Sequence, residues 1–452
     1  MAQQLYFSRD SIMRLQIGTK TWKIPVLEGF SFSQATNVSE ITLNEMESTA
    51  GVSRRGRRAF NDSLAPVDFS FGTYIRPFKS AGSGTGAVDD NAYHHAVEEA
   101  LWALFSGPAT HNATAFDFTN QTTHDGTNLD IDFSESNKST LGPAAGATLY
   151  FELGDANKVT YKLSNIVLNE ASIDFDIDGV ASIQWSGFAD TITQYSSTRV
   201  VTPAVSSSTT VNISTTDTGT LVVGQEVSGT GIVGTPKIAS ITDNNTFVLS
   251  TSQTIANNTV LTFGPPAADY TEGTTATNNF IRNRLTTLTV DPVDRDPGGT
   301  GSNVLEDDYV LTLTGGNITL SNNVTYLTPE ELGVVNVPIG HVTGTRAFGG
   351  SFTCYLSDDT ATTTASKDFF DDVTAIREVV SNQFNLVFCI GGGTTASPVT
   401  PSLQINAAKC HVDIPTHSIE DIITLETTFQ ALPTSIDDTD EVTLVYYGPT
   451  PA

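Results

Sequence analysis

The chain is written twice, and that repetition limits what it can fold into. Phe7 to Ile17 reads FSRDSIMRLQI, and Phe280 to Val290 reads FIRNRLTTLTV, at an offset of 273 residues. Arg58-Ala59-Phe60 returns as Arg346-Ala347-Phe348, and Ser70 to Ile75 (SFGTYI) returns as Ser351 to Leu356 (SFTCYL). Ala181 to Trp185 has its counterpart in Ile423 to Thr427. The offset drifts between 288 and 242 along the chain, as insertions and deletions in loops would make it do. Two fused copies of one domain imply a protein that builds symmetric assemblies from doubled subunits.

Each copy reads as β-rich sequence, one helix, then more β-rich sequence. In the first, Val67, Phe69 and Phe71 set one strand face against Asp68, Ser70 and Gly72 on the other. Asn91 to Phe105 carries a helical stripe of Tyr93, Val97, Ala100, Leu101, Leu104 and Phe105, with Asp89 or Asp90 as N-cap and Gly107-Pro108 as stop. The second copy repeats this with a helix over Lys367–Asn382, striped by Phe369, Phe370, Val373, Ile376, Val379 and Val380 and capped by Ser366. Between them, Thr198 to Gly264 is rich in Thr, Ser, Gly and Asn and nearly lacks charge. Short strands are expected there at Thr220–Val223, Lys237–Ile241, Thr246–Leu249 and Val260–Phe263, with turns at Gly229-Thr230-Gly231 and Asn244-Asn245. The expected fold is mainly β: two tandem β-sandwich or barrel domains, each with one flanking α-helix, at 1–195 and 271–452, and a small inserted β module at 196–270.

The net charge is -28, from 22 basic and 50 acidic residues. Such a chain gains little by neutralising phosphates and repels nucleic acid. No run of 18 or more apolar residues occurs, so no membrane-spanning helix is expected, and the N-terminus does not read as a signal peptide. Cys354, Cys389 and Cys410, an odd count, read as buried reduced thiols rather than a disulfide framework. Sequons such as Asn317-Ile318-Thr319 read as chance in so Thr- and Asn-rich a chain.

Two long connections stand out. Val38 to Leu64 holds Glu40, Glu45 and Glu47 and then Arg54, Arg55, Arg57 and Arg58; Asn322 to Arg346 holds Glu330 and Glu331. Compact domains rarely keep such connections unless they are used. Charge-segregated loops can reach a neighbouring subunit, so Glu45, Arg54, Arg55, Arg57, Arg58, Glu330, Glu331 and Arg346 are the candidate intersubunit contacts. The arginine cluster also reads as a nucleic-acid patch, which the net charge opposes.

Catalytic and metal patterns are weak. His94-His95 are adjacent on the expected helix, which is wrong for joint ligation, and His411-Val412-Asp413 places two polar side chains on one strand face without further ligands. Asp291 to Gly298 lacks the closing Glu of a calcium loop. Asp174, Asp176 and Asp178 alternate on one face, consistent either with a paired-carboxylate glycosidase or with plain solvent- or channel-facing acids. No Walker, GxSxG or HExxH motif occurs, and no catalytic, cofactor or metal residue is assigned.

The chain resembles the major tail tube proteins of long-tailed phages, in the subgroup with two fused tube domains. SEITLNE (Ser39–Glu45), RRGRRAFNDSLAPVDFSFGTYIRPF (Arg54–Phe78), NNVTYLTPE (Asn322–Glu330), PIGHVTGTRAFGGSFTCYL (Pro338–Leu356), KCHVDIPT (Lys409–Thr416) and IEDIITLETTFQALP (Ile419–Pro433) carry the likeness. The resemblance implies a structural, non-enzymatic virion protein without cofactors. Its trimeric, pseudo-hexameric rings would stack into a tube, joined by the two long loops, and each copy's sheet would line a channel. DNA would pass through without specific binding. The tape measure protein, the tail terminator and tail-tip proteins would be its partners. Some relatives carry a decoration domain after the second copy, whereas here the extra module lies between the copies. A carbohydrate-binding, adhesin-like virion protein is the alternative that the low-charge module suggests, and a tailspike-type glycosidase is the alternative that the acidic triplet suggests.

Overall fold

Strands that alternate apolar and polar side chains bury one face and leave the other open. A computed structural model shows this pattern in strands such as Ser182–Ala189 and Ile423–Ala431. The structure describes residues 6–42, 57–80, 93–112, 117–154, 159–195, 197–214, 221–266, 268–269, 279–292, 309–332, 334–358, 365–375, 384–391, 401–436 and 438–448. These are mainly β, with two α-helices among the described residues.

Both halves lay down two sheets in the same order. The first half has a back sheet of Lys20–Ile24, Ser11–Ile17, Ala147–Leu153 and Val159–Ser164, edged by Thr191–Tyr195. Its front sheet is Val167–Asp176, Ser182–Ala189, Arg57–Tyr74 and Ser31–Thr42. In the second half the back strands are Tyr309–Leu311, Thr287–Pro292, Phe384–Ile390 and Ser402–Val412. The front strands are Thr416–Ile419, Ile423–Ala431, Ala347–Tyr355 and Leu313–Ser321. Ser402–Val412 passes from back to front, since Cys410–Val412 already pair with Phe429–Ala431. Register agrees as well as order. Ser70 faces Ser31 and Ser186, and Ser351 faces Asn317 and Thr428.

The front sheets of the two halves are one sheet. Val167–Asp176 pairs antiparallel with Leu313–Ser321 from Glu170↔Ser321 to Asp176↔Gly315. Behind this seam Ala171, Ile173, Phe175, Ile318 and Leu320 are buried in a core continuous between the halves. Each large apolar side chain there contributes roughly 1.5–3 kcal/mol by burial. A second joint lies at the C-terminal strand, where Thr443–Tyr447 pairs both with Ser402–Val412 and with Leu129–Ile131 of the first half.

The helices fill the space behind the front sheets. Trp102 packs edge-on against Trp185 with ring centroids 4.8 Å apart, and its indole N–H donates to the Tyr446 hydroxyl from the second half at 2.5 Å. Phe369 sits against Phe352, Phe384 and Tyr309 at 6.4, 6.0 and 5.8 Å. The first helix is shorter than its periodicity predicts. It spans Glu99–Ser106, and His94–Ala96 is a strand paired with Pro77–Lys79. Tertiary bonds outweigh helix propensity there: the His94 amide donates to Asp125 O at 3.0 Å, and its ring nitrogens lie 3.2 and 3.1 Å from Asp125 O and Gly448 O. The expected caps Asp89 and Asp90 lie outside the described residues. The helix ends with Asn322 of the second half donating to Phe105 O at 3.0 Å, satisfying an orphan carbonyl. The second helix is Ser366–Ala375, and the expected continuation to Asn382 lies outside the described residues. Ser366 opens that helix and ties it to a strand, donating to Tyr355 O and accepting from the Ser357 amide, both at 2.7 Å.

Residues 197–266 form two three-stranded sheets around a separate cluster that includes Val211, Phe247, Leu249, Leu261 and Phe263. The strand expected at Thr220–Val223 is displaced to Gln225–Gly229. Gly224, at φ +91°, makes the preceding turn, and Gln225 Oε1 accepts from the Val222 amide at 2.8 Å. Cys354, Cys389 and Cys410 are buried thiols, and burial pushes Cys354 and Cys410 up to about 12.

The seam has no room for a side chain at Gly316, where a Cβ would stand 2.5 Å from the Phe175 ring and 2.6 Å from Ser351 O. Gly316→Val is therefore expected to lower unfolding stability by about 1–3 kcal/mol, as overpacking does, measured from the denaturant midpoint with Ser321→Val at the open seam edge as the control.

Candidate functional site: the open face of the joined sheet

Strand parity decides what the front sheet shows. The buried parity carries Phe69, Phe71, Ile183, Trp185, Ile173, Phe175, Ile318, Leu320, Phe348, Phe352, Leu425 and Phe429. The other parity forms rows that cross the seam without interruption. One row runs Ser31, Ser70, Ser186, Glu170, Ser321, and the next Gly72, Gln184, Ser172, Thr319, Gly349, Gln430. A third runs Tyr74, Ser182, Asp174, Asn317, Ser351, Thr428, and beside it lie Asp176, Gly315, Thr353 and Glu426.

This face is small, polar and acidic. Its carboxylates are Asp68, Glu170, Asp174, Asp176 and Glu426, with Asp413 next to Thr428 through the Asp413 amide and Thr428 O at 2.9 Å. None of the six strands from Val67 to Tyr74, Val167–Asp176, Ser182–Ala189, Leu313–Ser321, Ala347–Tyr355 and Ile423–Ala431 contains a Lys or Arg. Neighbouring groups tie one another down. Asn317 Nδ2 donates to Ser172 Oγ at 2.9 Å and to the Asp174 carboxylate, and Thr319 Oγ1 donates to Asn317 Oδ1 at 2.8 Å. These bonds cross the seam on the open side as the apolar contacts cross it behind. Strands that present carboxylates without Lys or Arg offer a phosphate backbone little counterion release and repel it at close range, although Arg284 stands beside Asp176 at one end of the seam.

Of the acidic triplet, Asp174 and Asp176 share this face, whereas Asp178 lies in the turn after the strand. Asp68, Glu170, Asp413 and Glu426 join them only through strand pairing. Their placement is local parity plus a register that no single segment reveals. His411 and Asp413 do lie side by side, Nε2 to Oδ1 3.4 Å, both well exposed. The acidic turn read at Asp291 to Gly298 lies mostly outside the described residues.

The two long connections are hairpins rather than open loops. Ser31–Thr42 and Arg57–Tyr74 pair as far as Thr42↔Arg57, well beyond the front sheet. Glu45, Arg54 and Arg55 lie outside the described residues, and Arg57 is in a strand whose side chain is not described. Arg58 is exposed, its guanidinium 5.8 Å from the centre of the exposed Phe60 ring. In the second connection Thr325–Leu327 pairs with Gly340–Val342, and Glu330 and Glu331 are exposed at its turn. The two hairpins meet within the chain. Asn336 accepts from the Leu64 amide at 2.8 Å and donates to Asp62 O at 3.1 Å. Around that contact Leu332, Val334, Val335, Val337 and Ile339 are all exposed, an apolar patch of the kind that marks an interaction surface.

Arg346 is engaged inside the chain. Its guanidinium donates to Phe133 O at 3.1 Å, Thr439 O at 2.9 Å, Ser136 Oγ and the Glu441 carboxylate, and lies 5.6 Å from the Phe133 ring centre. Burial lowers its pKa to about 10. Arg346→Ala is expected to destabilise the isolated subunit by about 3–5 kcal/mol, the cost of stranding a buried partner. Unchanged unfolding combined with lost assembly would instead make Arg346 an intersubunit residue. On the open face, Lys at Ser172, Thr319 and Thr428 together should leave folding intact and create duplex-DNA retention that falls steeply with salt; retention by the unsubstituted protein in the same filter assay would contradict the reading of the face.

No family model matches the chain. It is similar to the tail tube protein pb6 of Escherichia phage T5, being 25% identical over 423 residues, which are 94% of this chain and 70% of that protein. A likeness over nearly the whole length bears out the resemblance read from the sequence and supports a structural role in a virion tail.

Proposed function

We propose that this chain, which is similar over nearly its whole length to a phage tail tube protein, forms trimeric rings whose front sheets close into a channel wall with the acidic open face inward. The observation that carries this reading is the seam. It joins the Leu313–Ser321 edge of one half to the Val167–Asp176 edge of the other. Because both halves order their strands alike, the joined sheet ends on the same two kinds of edge: Ser31–Thr42 at one side and Thr416–Ile419 at the other. Each of these end strands pairs on one side only among the described residues. Repeating the internal joint between chains uses both edges, and such head-to-tail contacts close into a ring when the rotation allows it. Residues 1–195 and 271–452 then act as two equivalent tube units, with 196–270 as a surface module.

In this reading the hairpins stack one ring on the next. Arg57 and Arg58 on the first hairpin, Glu45, Arg54 and Arg55 of the same connection in sequence, and Glu330 and Glu331 on the second hairpin would supply intersubunit ion pairs, beside the exposed apolar patch from Leu332 to Ile339. Arg346 anchors the base of the second connection within its own chain. The ends of the tube would meet terminator and tip proteins, and the tape measure protein and then DNA would occupy the channel. No chemistry is asked of the open face.

Sedimentation and mass photometry of the assembled protein, with rotational averages of end-on particles by negative-stain electron microscopy, test this. Rings of three chains with strong sixfold and weaker threefold harmonics are expected. Rings of six chains, or an assembly without a central channel, would contradict it.

A further inference from the structure

The first turn of the first helix holds a cluster that the tube reading does not use. His95 on the strand His94–Ala96, Glu99 at the start of the helix Glu99–Ser106, and His124 at the end of the strand Thr122–His124 converge in the interior. The Glu99 carboxylate lies 3.0 Å from His95 Nδ1 through one oxygen and 2.6 Å from His124 Nε2 through the other. The three donor atoms all fall within 4.8 Å of one another. The two imidazoles are 1% exposed and the carboxylate side chain 10%.

We propose that His95, Glu99 and His124 form a binding site for one divalent transition-metal ion of the zinc class. The donor set is right: two imidazole nitrogens and one carboxylate oxygen are a recurrent three-ligand set for zinc, with a fourth position left to solvent. The spacing is close: metal–ligand bonds of about 2.0–2.1 Å in a tetrahedron put ligands about 3.3 Å apart, and the carboxylate oxygens lie 3.0 and 2.6 Å from the ring nitrogens, so the ligands would part by less than about 1 Å to admit an ion. The ion would take the place of the protons that bridge the carboxylate to the two rings, and those protons leave to solvent.

Sequence reading passed over this site because it weighed His94 with His95. The pair that matters is His95 and Glu99, and the third ligand comes from a strand 25 residues beyond Glu99. Position suggests what the ion does. Thr122–His124 pairs with Leu129–Ile131, which in turn pairs with Thr443–Tyr447 of the second half. An ion here staples the helix to the elements that carry the second joint between halves.

The proposal is independent of the tube reading and is tested on the full chain. Protein stripped with a chelator is titrated with Co²⁺, followed by visible d–d absorption, and with Zn²⁺, followed by equilibrium dialysis and thermal unfolding. One equivalent per chain is expected, with the absorption of four- or five-coordinate cobalt and a raised unfolding temperature. Glu99→Gln and His124→Gln should weaken affinity by more than the roughly 10–100-fold that losing an outer-shell partner costs, while His417→Gln, at an exposed site, should not. Should the variants fail to fold, the unsubstituted protein still decides. Binding well below one equivalent, or six-coordinate cobalt of the surface kind, overturns the proposal and leaves a hydrogen-bonded His–Glu–His cluster. Equal affinity in folded Glu99→Gln would overturn it too.

Discussion

Everything in this molecule depends on one stretch of backbone pairing, Val167–Asp176 against Leu313–Ser321. Two β-sandwich units could have been fused by a linker and left to tumble. Here their front sheets share hydrogen bonds, their cores share apolar side chains, and their open faces share polar contacts centred on Asn317. A sheet joined in this way has one curvature and one open face. Edge strands are ordinarily guarded against pairing with other chains. A chain whose sheet ends in two complementary one-sided strands is instead built for addition.

The distribution of charge follows from the same geometry. An excess of acid over base could have been spread evenly over the surface. On the front sheet, however, alternation gives each strand one polar row, and from Val67 to Tyr74 and across the five strands beside it those rows hold carboxylates, hydroxyls and amides but no Lys or Arg. Basic residues appear away from those rows, as Arg58 does on the hairpin, or are enclosed by acceptors, as Arg346 is by Glu441, Thr439 and Phe133. In the proposed tube, the surface along which a polyanion would slide and the surface that would hold a neighbour are thereby separated along the same strands.

Much of this was legible in the residues. Val67, Phe69 and Phe71 against Asp68 and Ser70 predicted which side of that strand is open, and the repeated Ser70 and Ser351 stretches occupy matching places in the two front sheets. What local periodicity could not show depends on distant partners. His94–Ala96 has helical neighbours in sequence but strand partners in space. The Val38–Leu64 connection looked like a loop because its pairing is offset by a bulge between Asn37 and Val38, and the Asn322–Arg346 connection because only Thr325–Leu327 and Gly340–Val342 pair within it among the described residues. The metal-type cluster needs a strand that local reading does not bring near the helix. Arg346 echoes Arg58 in sequence, yet one is enclosed and the other exposed, because Glu441 and Ser136 surround only the first.

The most direct test of the central claim is a cryo-electron microscopy reconstruction of the assembled protein that resolves individual strands. The account predicts that Ser31–Thr42 of one chain pairs antiparallel with Thr416–Ile419 of the next, as Leu313–Ser321 pairs with Val167–Asp176 inside the chain, and that Glu170, Asp174 and Glu426 face the lumen. Front sheets that turn their open face outward, or chains that meet through their back sheets, would contradict it.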